Sequence, residues 1–398
     1  MLTGTNLTYT KAYNYRIVFE TIRLHSPISR SQIAKKTSLT AQTVSNIVSR
    51  MLNAGLIEEG KKVQRGRGAP SITLQIKAKG AYSIGLDFDR DHLTGVLVDL
   101  SGTVLHRIFH EVDYPSPDET IALMVSVYQE LLAYENGTYE KPIGVGVSFP
   151  GPMDVEGNNF VSSMILPSGF RNWNRVPVVD QLKQHIDIPV FLENNASAAA
   201  VGEHWYGVGQ QIPSFLYIFF GAGLGSGLVL SGELYKGHYQ NAGEIGYYPL
   251  HKNSPLSTSE QPHVGEHFNL SKLYKWLNTD GASFHSPEDL QLLYDQEHSK
   301  LMYWIESGVD ILIPLFLAVE YILDPETIVI GGRLPFNIIQ HFSNEIANQL
   351  PDARITGKKT GPKFQCATGG SDTAVLGAST LPMYDLFAPQ SSVLVKTG

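Results

Sequence analysis

Gln42, Thr43, Ser45, Asn46 and Arg50 fall on the polar side of a helical stretch. Its other side, Val44, Ile47, Val48, Met51 and Leu52, is apolar at spacings of three and four. Amides and hydroxyls in that array are the donors and acceptors that read base edges in a major groove, and a guanidinium at Arg50 suits a phosphate. Thr40 offers an N-cap oxygen at the start of the stretch. Directly downstream, GLIEEGKKVQRGRGAPSITLQI reads as two strands around a loop holding Lys61, Lys62, Arg65 and Arg67. The two lysines are placed to meet phosphates and Arg65 or Arg67 to enter a minor groove, so the chemistry implied is recognition of duplex DNA. Each feature alone also fits a solvated helix face or an unengaged basic loop; their order and spacing together carry the reading.

Positioning that helix requires two more. Ser29 with Gln32 forms a capping-box pattern ahead of Ile33 and Ala34, predicting a helix from about Arg30 to Lys36. Ile17, Val18, Ile22 and Leu24 predict another over 14–24, completing a winged helix-turn-helix across residues 1–80. Charge agrees. Those residues hold 13 Lys plus Arg against Glu20, Glu58 and Glu59, a balance of +10, while the remainder carries 17 bases and 35 acids, a balance of −18. A basic head gains affinity for phosphates by counterion release, and an acidic body must face away from the duplex.

The 318 residues past the head suffice for two ordinary lobes. Ala81–Leu105 and Phe215–Tyr235 share one outline of strand, polar turn, strand, Ser-Gly and strand, with Gly95 falling on Gly225 after a shift of 130. The echo implies two related α/β lobes with a ligand cleft between them. The expected division is a first lobe over 81–192, joined by a C-terminal helix over 384–398, and a second lobe over 193–383. Ser116, Pro117 and Glu119 signal a helix start. The first residues lack the apolar run of a signal peptide and the apolar segments are interrupted, so a cytoplasmic protein without a membrane span is expected. The single cysteine, Cys366, excludes an internal disulfide framework and a multi-cysteine zinc site.

The head resembles the winged helix-turn-helix of ROK-family repressors (repressor, open reading frame, kinase), through the triplet Thr43-Val44-Ser45 and the RGRGAP wing at 65–70. Residues 83–388 resemble the ROK sugar-kinase body through FPGPMD at 149–154, ENNASAAA at 193–200, AGEIGY at 242–247, DPETIVIGG at 324–332 and GGSDTAVLGAS at 369–379. The resemblance implies a two-lobed actin-like fold. It also implies a sugar site at Asn194, Asn195, Glu244, Tyr247, Glu266 and Gly151, where paired carboxylates and amides suit the fanned hydroxyls of a pyranose.

The sequence departs from the kinase pattern at the chemistry. Asn195 stands where family kinases place the aspartate that takes the sugar proton; an amide cannot accept it, a loss of roughly 10²- to 10⁴-fold. The first phosphate loop reads Asp87, Phe88, Asp89, Arg90, and Asp89 adds bulk and like charge where glycine should meet a polyanion. The second loop, GAGLGSG at 221–227, is better kept, although Ala222 replaces a threonine and such turns are commonly only tight turns. Tyr247 replaces the family histidine, and no cysteine follows before Glu266, so neither zinc nor any other cofactor is expected; His251, His263 and His267 are the only substitutes. The expectation is a sugar-responsive repressor with an inactive kinase-like body, binding a DNA operator as a homodimer or tetramer. Two alternatives are an active ROK kinase fused to a DNA-binding head, and a regulator whose body meets a protein partner.

Overall fold

The computed structural model describes residues 5–63, 70–134, 141–156, 159–164, 172–173, 176–250, 254–257 and 260–395. The head contains α1 (Leu7–His25), β1 (Ile28–Ser29), α2 (Arg30–Thr37), α3 (Ala41–Asn53), β2 (Ile57–Val63) and β3 (Ser71–Ile76). Its strands form one antiparallel sheet in the order β1-β3-β2. The first helix starts earlier than its apolar spacing predicts, because the Asn6 side chain caps the N–H groups of Thr8 and Tyr9. The Ser29–Gln32 capping box and the Thr40 cap both form. Gly55, at φ +70°, turns the chain out of α3 into the wing.

The first lobe holds β4 (Tyr82–Asp89), β5 (His92–Asp99), β6 (Val104–Glu111), α4 (Pro117–Leu132), β7 (Val145–Phe149), β8 (Met153–Glu156), β9 (Asn159–Met164), α5 (Val178–Leu182) and β10 (Val190–Asn194). After α6 (Asn195–Tyr206) come β11 (Phe215–Phe220), β12 (Leu224–Leu230), β13 (Glu233–Leu234), α7 (Val264–His267), α8 (Leu270–Leu277), α9 (Pro287–Asp295), α10 (Ser299–Leu323), β14 (Thr327–Gly332), α11 (Phe336–Ala353), β15 (Lys363–Cys366) and α12 (Thr373–Phe387). The two large sheets run β10-β7-β4-β5-β6 and β15-β14-β11-β12-β13. In each, three antiparallel strands are followed by two parallel ones, so the internal echo corresponds to one repeated topology.

The lobes exchange their closing helices. The chain leaves the first sheet at β10 and α6 packs on β11 and β12; it leaves the second sheet at β15 and α12 packs on β4 and β7. The two helices cross at small residues: a Cβ on Gly377 would stand 1.9 Å from the Ala198 carbonyl oxygen, and one on Gly146 of β7 would stand 1.8 Å from that of Ala378. The helix expected over 384–398 is therefore corrected to Thr373–Phe387, followed by a 3₁₀ turn at Ser391–Leu394. Its run Ala374, Gly377, Ala378 lets it lie close on the first-lobe sheet, and a boundary at 383 would cut it. The 25-residue α10 is long and apolar enough to cross a membrane, yet Leu301, Trp304, Ile305, Leu312 and Phe316 fill the core of the second lobe.

Head and body share one apolar core. Val18, Phe19, Ile22, Val44 and Val48 cluster with Val96, Trp205, Val375, Met383 and Phe387, and the rings of Phe19 and Phe387 stack at 4.4 Å. Arg16 donates to the Ala388 carbonyl at 3.0 Å.

Candidate functional site

On the head, α3 buries Val44, Ile47, Val48 and Met51 and exposes Gln42 and Asn46. Gln42 Nε2 donates to Asn46 Oδ1 at 3.0 Å, which orders the two amides as a pair. Ser45 is half-buried, and so is Thr43, whose hydroxyl lies 2.9 Å from that of Thr40 at the cap. Arg50 stays exposed with its guanidinium 5.3 Å over the Tyr15 ring of α1. Lys61 and Lys62 are exposed, but on strand β2 rather than in the loop, whose Arg65 and Arg67 lie outside the described residues. Sequence reasoning missed Ser49, exposed on the turn after Asn46, and the exposed pair Lys35 and Lys36. The +3 and +7 spacings from Asn46 and Gln42 were the available signal for Ser49.

The expected sugar residues converge. Gly151, Asn194, Asn195, Glu244, Tyr247 and Glu266, dispersed over more than a hundred positions, line one cleft of about 400 Å³ between the lobes. Asn194 ends β10 and caps α6, its Oδ1 accepting from the Ala196 and Ser197 N–H groups and its Nδ2 donating to Glu244 Oε1 at 3.2 Å. Asn195, the first residue of α6, turns its Oδ1 onto the Ala196 N–H at 2.8 Å. Burial pushes the Glu244 carboxyl up to about 7. Tyr247 is about half exposed; burial of its phenol raises its pKa, Glu244 adds to the rise, and Arg90 opposes it.

Glu266 lies on α7 and accepts from the Ser257 hydroxyl at 2.6 Å, with Lys272 Nζ at 4.0 Å and His263 Nε2 at 3.8 Å. The zinc-held loop of the family does not fit these residues. His263 Nδ1 is within 2.9 Å of the Gly246 oxygen, while both nitrogens of the buried His267 are engaged, by Ser254 Oγ and the Trp304 oxygen. Burial lowers His267 to about 4, the behaviour of a neutral core imidazole. His251 lies outside the described residues.

Tyr114, Asn269, Lys272 and Lys275 also line the cleft and were missed, as do Arg90 and His263, which the sequence marked only as part of the first phosphate loop and as a possible metal ligand. Lys272 and Lys275, one helical turn apart on α8, carried a faint signal; Tyr114 comes from a bend and carried none. The first phosphate loop also differs from expectation. Asp89 is buried and accepts from the Arg90 backbone N–H at 2.7 Å, with Arg90 Nε at 3.4 Å, so its charge is met by its neighbour. The other carboxylate of that turn, Asp91, takes Arg333 Nη1 at 3.0 and 3.1 Å from the opposite lobe. That pair borders a second cavity of about 370 Å³, which shares Ala222, Ser271 and Lys275 with the cleft. Behind it, burial alone would lower His92, yet hydrogen bonds with Asp87 and Asp91 hold it up at about 9.

One helix runs from the cleft to the head. Asn194 and Asn195 sit at the N-terminal end of α6, and Trp205 and Tyr206 end it. Arg23 of α1 donates to the Trp205 carbonyl, lies 4.8 Å over the Trp205 ring and pairs with Glu20 at 2.7 Å. Glu203, on the same turn, accepts from the Thr368 and Gly369 N–H groups ahead of α12, each at 2.9 Å.

Affinity for a cleft ligand that needs ionised Glu244 is expected to rise about tenfold from pH 6 to pH 8, because a carboxyl near 7 is mostly protonated at the lower pH. The sign is opposite for the free protein. The folded state holds its proton to about 7 while the unfolded chain releases it near 4.5, so Glu244 makes stability fall across that interval as pH rises. Calorimetric titration of Glu244→Gln should give a flat profile; an unchanged pH dependence would remove Glu244 from ligand contact.

Comparison with known proteins agrees with this geometry. Residues 15–58 match a winged helix-turn-helix DNA-binding family, and residues 83–383 match the ROK family. The xylose repressor of Bacillus spizizenii is 28% identical over 62% of this chain, and the match spans 63% of the repressor's own length. A crystal structure of a ROK family transcriptional regulator, described as a homologue of the E. coli MLC protein, superposes with a TM-score of 0.74 at 20% identity, covering 95% of this chain and 98% of that one. A ROK family glucokinase from Streptomyces griseus, solved with glucose and AMPPNP, gives 0.63 at 18% identity over 76% of this chain and 99% of its own. With a basic winged head docked on two lobes of one repeated actin-like topology, the chain belongs to the ROK family.

Proposed function

We propose that this chain is a sugar-responsive transcriptional repressor whose kinase-like body senses a carbohydrate without phosphorylating it. The observation that carries the reading is α6, whose first residues line the hydroxyl-binding cleft and whose last are gripped by the DNA-binding head. The xylose repressor's name supports the same reading. Base edges fall to Gln42 and Asn46 with help from Thr43 and Ser45, phosphates to Arg50, Lys61 and Lys62, and the minor groove to Arg65 or Arg67. Two copies acting in the cytoplasm on a pseudo-palindromic operator would each contribute one head. Sugar releases DNA only if it binds one arrangement of body and head more tightly than the other, since equal affinity shifts nothing.

Against kinase activity stands Asn195, which cannot take up the sugar proton. Gel-shift titration on an operator fragment with xylose, glucose and N-acetylglucosamine tests the reading, beside a coupled ATPase assay. Release by one sugar without turnover is expected. Sugar-dependent ATP hydrolysis above background would make the protein a kinase, and an absence of both release and thermal stabilisation across a wide sugar panel would favour a protein partner.

A further inference from the structure

We propose that Asn241, outside the cleft and absent from every motif above, is a positioning residue that sets the width of the effector site; the claim rests on the cleft binding a sugar. Asn241 belongs to a second-lobe loop between β13 and Glu244. Its Oδ1 accepts from the Met153 N–H at 2.7 Å and its Nδ2 donates to the Met153 carbonyl at 2.9 Å. One side chain thus satisfies both backbone groups of a first-lobe residue, as a neighbouring strand would.

Both ends of this link lead to the cleft. Two residues before Met153 is Gly151, which lines the cleft from the first lobe, and three residues after Asn241 is Glu244, which lines it from the second. The same loop sends Lys236 Nζ to Glu193 Oε2 at 2.5 Å, and Glu193 Oε1 accepts from the Asn194 N–H at 3.0 Å. Ser226 fixes the loop's far end, donating to the Gly243 carbonyl at 2.6 Å. The loop is therefore tied to the second sheet at Ser226 and clamped onto the first lobe at Met153 and Glu193. Among the described residues, the Asn241 bonds join the loop before Glu244 to the strand that follows Gly151, and Asn194 Nδ2 reaches Glu244 itself at 3.2 Å. Across the cleft, Asp91–Arg333 is a separate link between lobes, so loss of Asn241 leaves them joined.

In a chain held this way the cleft is formed before ligand arrives. Removing both Asn241 bonds lowers the fraction of molecules with the walls correctly spaced, and apparent affinity falls by that fraction. Two hydrogen bonds of ordinary net strength correspond to a loss of roughly ten- to a hundredfold.

The test is an interlobe distance measured by electron spin resonance with and without sugar. Labels are attached through Gln129→Cys on α4 and Glu288→Cys on α9 in a Cys366→Ser background. The parent should give one narrow distribution that sugar barely alters, whereas Asn241→Ala broadens and lengthens it in the free protein, and sugar narrows it again. Asn241→Asp, which keeps the acceptor for the Met153 N–H but sets a carboxylate against the carbonyl, should be intermediate. Affinity for whichever of xylose, glucose or N-acetylglucosamine binds the parent should follow the same order. Superimposable distributions for the parent and Asn241→Ala would overturn the proposal. That reading needs no ligand, so it stands apart from the failure of every sugar to bind, which would overturn the sensing function instead.

Discussion

Replacing Gln42 and Asn46 together by alanine is expected to lower operator affinity by about thirtyfold or more, because each well-placed amide contributes about 1–3 kcal/mol of base discrimination. Both side chains are exposed on α3 and bond to each other at 3.0 Å, while Val44, Ile47, Val48 and Met51 supply the buried face, so the fold should tolerate the change. Alanine is also the better helix former. The basic residues that bind any duplex remain, and binding to unrelated DNA should keep its strength and its salt dependence. Fluorescence anisotropy over a salt series on operator and on scrambled duplex separates these terms. Equal losses on both would assign the two amides to general adhesion and not to reading sequence.

Arg23→Ala is expected to part the two binding events. The side chain touches neither cleft nor recognition face; it is buried between α1 and the end of α6, over the Trp205 ring and on its carbonyl. Coupling between sites of this kind amounts to about 1–3 kcal/mol, or 5- to 150-fold in affinity. With Arg23 removed, sugar and operator should each bind within roughly threefold of the parent, while the effect of sugar on operator affinity collapses toward unity. The free Glu20 carboxylate and Trp205 oxygen will cost some stability, and Arg23→Lys, which restores charge without the planar contact, controls for that. Sugar release as complete as in the parent would exclude this contact from the signal path.

Local signals in the sequence were legible where one segment makes its own bonds. The capping box at Ser29, the helix start at Ser116 and the Thr40 cap all form as read. The echo of the two lobes was legible too, although a single offset could not align both strands of the hairpin. Leu86 lies opposite Gly95 and Phe219 opposite Gly225, because the first hairpin's ladder runs on to Asp89 and His92 while the second stops at Phe220 and Leu224. What escaped was set by partners far along the chain. Nothing near residue 373 announces that α12 belongs on β4 and β7, since the backbone it meets at Gly85 and Gly146 lies more than two hundred positions away. Asp89 is a different case, because its partner is the very next residue. Its charge looked like an obstacle in isolation, and the structure gives it the Arg90 N–H and guanidinium as immediate company.

The seat of the head, where Phe19 stacks on Phe387 and Arg16 reaches the Ala388 carbonyl 372 positions away, joins distant stretches of the polypeptide. During synthesis the helices that would touch genes emerge long before the surface that orients them. A prematurely terminated product would therefore carry an untethered DNA-binding arm, deaf to any metabolite.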